Sequence, residues 1–266
     1  MIESNIFNET ELRHVLAQKG IFSVLEYEKD MSVSPGRAET AYYAALMDVR
    51  KRQLIANINK DVGVVSQKGM LQLILGDVMA ETGIENPADF MKKVVGSKVT
   101  KETAIKPHYR GSGHLILEPT FRYIILEDLK DWNGNMVVED GMFLACEDTV
   151  NLKVTQRTTI SSAALGGEGF FNLSFRGEGV VALESSVPRQ ELFEISVKDD
   201  VVKVDGNMAI AWSGELDFTV ERTTKTLIGS LASGEGLVNV YRGTGKVLVA
   251  PVAMNNGITV PEVNKK

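Results

Sequence analysis

Three arginines at positions 110, 176 and 242 open closely similar segments: Arg110-Gly-Ser-Gly-His-Leu-Ile-Leu117, Arg176-Gly-Glu-Gly-Val-Val-Ala-Leu183 and Arg242-Gly-Thr-Gly-Lys-Val-Leu-Val249. Each reads Arg-Gly-x-Gly and then alternates polar and apolar positions, and both intervals are 66 residues. A fixed period of this kind marks a repeated folding unit. The pattern extends upstream, with Gly167-Glu-Gly-Phe-Phe-Asn-Leu-Ser-Phe175 before the second motif and Gly234-Glu-Gly-Leu-Val-Asn-Val-Tyr241 before the third. Gln67-Lys-Gly-Met-Leu-Gln-Leu-Ile-Leu75 is the counterpart for the first. Gly69 lies 41 residues before Arg110 whereas Gly169 lies 7 before Arg176, which places an insertion of 34 residues over about 76–109. The chain thus divides into an N-terminal helix (1–19), three units (20–118, 119–184 and 185–250) and a tail (251–266).

Strand signals dominate the units. Val150–Val154, Leu192–Val197, Val201–Val204 and Leu216–Val220 are short runs of β-branched and apolar residues interleaved with polar ones, the pattern of half-buried strands. Asn133-Gly134, Asp140-Gly141, Lys198-Asp-Asp200 and Asp205-Gly206 have the chemistry of tight hairpin turns. The glycines of the repeated motif supply a positive-φ turn or a bulge. Helix is predicted for Asn8–Lys19, capped by Gly20, and for the insertion from Asn86-Pro87 to Gly96, with a short helix at 77–82 before it. Phe22–Tyr27 reads as strand, and 38–52, although helix-friendly in composition, is assigned strand from its place in the repeat. The fold class expected is all-β with minor helical additions: duplicated β-sandwich modules, three units of about 66 residues around a pseudo-threefold axis.

Composition narrows the function classes. No apolar run reaches the roughly 18 residues of a membrane-spanning helix, and the first twenty residues lack the basic start and apolar stretch of a secretory signal. One cysteine, Cys146, gives no disulfide framework, and a cytoplasmic setting is expected. A net charge of -6 and a pI near 5.3 argue against a nucleic-acid partner.

The repeated Gly-Glu-Gly, strand, Arg-Gly-x-Gly, strand block, ending in Val-Leu-Val-Ala-Pro251, resembles the mitochondrial-biogenesis proteins named for altered inheritance of mitochondria. The resemblance is best over 113–251. It implies a fold similar to that of the tryptophan RNA-binding attenuation protein, a tendency toward ring-like or trimeric assembly, and no established enzymatic activity.

Tests for chemistry return little. His14, His108 and His114 form no His-x-His pair, and Cys146 has no partner at ligand spacing, so neither a metal nor any other cofactor is expected. Ser161-Ser162 and Ser185-Ser186 lack a nucleophile elbow. The candidate binding residues are the repeated Arg110, Arg176 and Arg242, and Glu168 and Glu235 in the matching Gly-Glu-Gly positions. Their plain reading is structural. The leading expectation is a non-enzymatic, self-associating β scaffold or binding module, a homo-oligomer without a transmembrane segment. The alternative is an enzyme or small-molecule sensor with a site at unit or subunit junctions that uses Glu168 and Glu235.

Overall fold

The computed structural model describes residues 2–81, 106–156, 171–222 and 237–252. The chain forms two compact units, Met1–Ser185 and Ser186–Lys266. Strands dominate both, the strand pairs within each unit are antiparallel, and the described residues hold one α-helix, α1 (Ala38–Leu46).

In the first unit, β1 (Arg13–Lys19) and β2 (Phe22–Tyr27) form a hairpin around Gly20-Ile21. From β2 the sheet continues through β3 (Lys51–Ile58), β6 (His108–Leu117), β4 (Val64–Ser66), β9 (Phe143–Glu147), β12 (Val180–Ser185) and β7 (Tyr123–Asp128), and β5 (Leu71–Glu81) pairs with β6 as well. A smaller group joins β10 (Asn151–Gln156), β11 (Phe171–Arg176) and β8 (Asn135–Val138). The alternation of these strands places Phe22, Val24, Leu54, Leu115, Leu117 and Leu144 in one buried cluster, where removal of apolar surface from water drives folding. In the second unit β16 (Leu237–Val249) lies between β13 (Phe193–Asp205) on one side and β14 (Ala209–Ser213) and β15 (Asp217–Arg222) on the other.

Each Arg-Gly-x-Gly segment runs into a strand with partners at matching positions. Val181 faces Cys146, Ala182 faces Ala145 and Leu183 faces Phe143, with a bulge that skips one residue. Sixty-six residues on, Val247 faces Trp212, Leu248 faces Ala211 and Val249 faces Ala209, with the same skip. In β6, Leu115 faces Ile74, Ile116 faces Leu73 and Leu117 faces Leu71, again skipping one. On the upstream side of the motif Arg110 faces Met79, Arg176 faces Asn151 and Arg242 faces Asp217.

Several expectations need correction. The predicted N-terminal helix is β1 over Arg13–Lys19, because this stretch pairs with β2 and Gly20, at φ +56, turns a hairpin rather than capping a helix. Residues 38–46 are helix, as their alanine-rich composition favours, and strand begins only at Lys51. The short helix at 77–82 is strand through Glu81, held by its ladder to β6. Gln67–Leu75 does not lead into the first motif. Its Leu71–Leu75 part belongs to β5, the antiparallel partner of the motif strand, and it is His108-Tyr109 that precedes Arg110. Lys198-Asp-Asp200 is a bulge within the 13-residue β13, with Asp199 at φ +50, and not a hairpin turn. The helix expected at Asn86–Gly96 lies outside the described residues. No helix among the described residues is long and apolar enough to cross a membrane.

Candidate functional site

Two of the three motif arginines are bound to acids. Arg110 Nε lies 2.8 Å from Asp148 Oδ2, and Asp148 also accepts the Gly63 N–H at 2.8 Å. Arg242 Nη1 lies 2.9 Å from Glu221 Oε1, and that hydrogen bond is the main cause holding the Glu221 carboxyl below the usual glutamate range. Arg176 is exposed and forms no ion pair with a described residue. Glu168 and Glu235 lie outside the described residues. The glycines between answer to the backbone beside them. A Cβ on Gly111 would stand 2.0 Å from the Asp77 carbonyl oxygen, and one on Gly113 would stand 2.0 Å from that of Leu75. Both lie inside β6, where β5 approaches too closely for any side chain.

One polar network escaped the sequence reading. Glu26 faces Arg52 across β2 and β3, and Arg52 Nη2 lies 2.6 Å from Glu26 Oε2 and 3.1 Å from Asp48 Oδ2. Arg50 pairs with Glu26 at 3.4 Å and also with Glu28, whose Oε1 is 3.0 Å from His14 Nδ1. The Tyr123 ring covers the Arg52 guanidinium at 3.9 Å, and its hydroxyl donates to Asp48 Oδ2 at 3.1 Å. Burial, and then the Asp48 charge, push the Tyr123 phenol up. His14, Glu26 and Glu28 bring their ligand atoms within 4.8 Å of one another. The two arginines already neutralise these carboxylates, so the donor set fits an ion-pair clamp tying β2, β3 and β7 to the end of α1 better than a metal site. The one trace of it in the sequence is the alternation Glu26/Glu28 and Arg50/Arg52, which straddles the end of β2 and the start of β3.

Other polar groups are likewise committed to the fold. Buried Glu147 accepts the N–H groups of Ile21 and Val180, both at 3.0 Å, which pins the β1–β2 turn to the start of β12. Cys146 is fully buried, and burial raises its thiol pKa far above the ordinary value, which makes it a packing residue. The His114 ring sits 5.3 Å from that of Phe7.

What stands open is surface. β5 is an 11-residue strand that pairs only with β6 among the described residues, and Leu71, Leu73 and Met79 on it are exposed. Helix α1 buries no residue, leaving Tyr42, Tyr43 and Leu46 in solvent.

Comparison with known proteins gives a family and a fold. The profile of the family described as mitochondrial biogenesis AIM24 matches residues 46–252. A crystal structure of a Streptococcus pyogenes protein, a structural-genomics target, is similar at TM-score 0.56 and 21% identity, covering 77% of this chain and 89% of that one. At that identity it supports the fold alone. No curated protein matches.

Proposed function

The chain belongs to the mitochondrial biogenesis AIM24 family, and on that footing we propose that it is a non-enzymatic scaffold that assembles with copies of itself. One observation carries the reading. Among the described residues β5 presents an 11-residue edge without a partner strand, with exposed Leu71 and Leu73. An open, apolar strand edge is a template for pairing with another chain, which monomeric proteins blunt with charge, proline or a bulge. β5 carries no proline or lysine, its two acids, Asp77 and Glu81, fall beyond the apolar Leu71–Leu75 half, and its bulge between Leu71 and Leu73 leaves Leu73–Leu75 in regular register.

The body of the scaffold is read as three copies of one module, the arrangement implied by the likeness to the tryptophan RNA-binding attenuation protein. Support comes from the shared bulge, which skips one residue at matching distances from each motif arginine in β5, β9 and β14. Arg242 is paired inside its module and Arg110 with an acid of the next, and these acids break up the row of free cations that a nucleic-acid strand needs. The setting assigned is the mitochondrial-biogenesis role that the family name carries.

Sedimentation of the full chain at about 10 μM, a working range for specific self-association, tests the reading. A mass of two or more chains is expected. A monomer across the micromolar range overturns it.

A further inference from the structure

The edge of β5 has an occupied counterpart inside the first unit. Held against β12 by its bulged register, β9 turns its other edge to β4, so that Glu147 faces Val64, Cys146 faces Val65 and Ala145 faces Ser66. β5 is held against β6 by the same skipped register, which puts Leu73, Ile74 and Leu75 where β9 has Ala145, Cys146 and Glu147. The consequence shows in exposure: Phe143 and Ala145 are 4% and 0% exposed, while Leu71 and Leu73, in the same register positions, are 41% and 43% exposed. The strand β4 that flanks Ala145 has no counterpart beside Leu73 among the described residues.

The strand able to supply that cover is also identifiable. β4 is placed by Val64 facing Tyr109 and Val65 facing His108, the two residues before Arg110. β13 is placed in the same way, with Val202 facing Tyr241 and Lys203 facing Val240, the two residues before Arg242. Val202, Lys203 and Val204 therefore stand where β4 has Val64, Val65 and Ser66. β13 ends its sheet, so its outer edge is unpaired among the described residues.

Resting on the self-association reading above, we propose that β13 of one chain adds antiparallel to β5 of a second copy, with Val202 opposite Leu75, Lys203 opposite Ile74 and Val204 opposite Leu73. The contact joins two different edges, so it is head-to-tail, and it propagates until a ring closes or a filament grows. Backbone hydrogen bonds give the attraction, and the apolar side chains fix the register.

Disulfide trapping reads this directly, because cross-strand partners lie at bridging distance and Cys146, fully buried, stays silent. Full-length Leu73→Cys and Val204→Cys are prepared separately, mixed and oxidised. The mixture is expected to give a covalent dimer that neither variant gives alone. The double variant is expected to give a ladder of covalent oligomers, whereas a fast-running monomer bridged within itself overturns the proposal. Leu73→Lys, with circular dichroism confirming its fold, is expected to weaken association at least about tenfold. If the wild type associates but the mixture stays unbridged and Leu73→Lys changes nothing, the pairing is wrong and self-association stands. A monomeric wild type removes both.

Discussion

Arg52 is 1% exposed, and a cation at that depth is tolerated only because Glu26, Asp48 and the Tyr123 ring surround it. Removing the cation alone leaves buried Glu26 with only the longer Arg50 contact at 3.4 Å. Arg52→Leu is expected to lose about 3–5 kcal/mol in urea unfolding, and Glu26→Leu added to it is expected to recover most of that loss. The motif ion pair on the surface behaves differently. The Glu221 carboxyl lies below its ordinary range chiefly through the hydrogen bond from Arg242. A depressed folded-state pKa contributes stability above the unfolded pKa and loses it as pH falls through the folded value. In Arg242→Gln the Glu221 midpoint, followed by NMR, is expected to rise toward the ordinary value of about 4.3. The motif arginines and glycines were legible in the sequence because they repeat. The Glu26–Arg52 clamp was not, since its partners are 26 positions apart and meet only through the strand register.

The elements record a contest between local preference and the sheet. In 13–19 the helical spacing of apolar residues lost to the ladder with β2, and in 77–81 the ladder with β6 decided again. In 38–46 no strand competes, so alanine, glutamate and leucine follow their own preference and form α1. The repeat was legible as a period, but the first motif was given the wrong preceding strand, because Leu71–Leu75 resembles a motif-leading strand in composition while pairing as its neighbour. The candidate glutamates, drawn from the same upstream block, fall outside the described residues, so only the arginines of the expected site acquire a geometry. The close approach of β5 to β6 makes a sharp prediction. Gly113→Ala meets the Leu75 carbonyl at 2.0 Å and also starts from φ +156, whereas Gly36 has nothing within 4 Å and no such backbone. Gly113→Ala is expected to cost about 3 kcal/mol, and Gly36→Ala to stay within about 0.5 kcal/mol, both from urea midpoints.

At the scale of the whole molecule, the sheets have strong centres and unfinished borders. Among the described residues, strands β6 and β16 have neighbours along both sides, while β5 and β13 each have one. A chain whose borders are completed by other copies gains stability by mass action, since association binds the folded state and not the unfolded one. A hundredfold rise in concentration above the dissociation constant adds about 2.7 kcal/mol. For domains near this size that is a rise in Tm of about 5–10 °C. Differential scanning calorimetry across such a range is expected to show that rise in the wild type and to show it reduced in Leu73→Lys. A Tm independent of concentration would mean that the borders are tolerated as they stand, and the scaffold reading would then fail on energetic grounds, whatever mass the protein shows in solution.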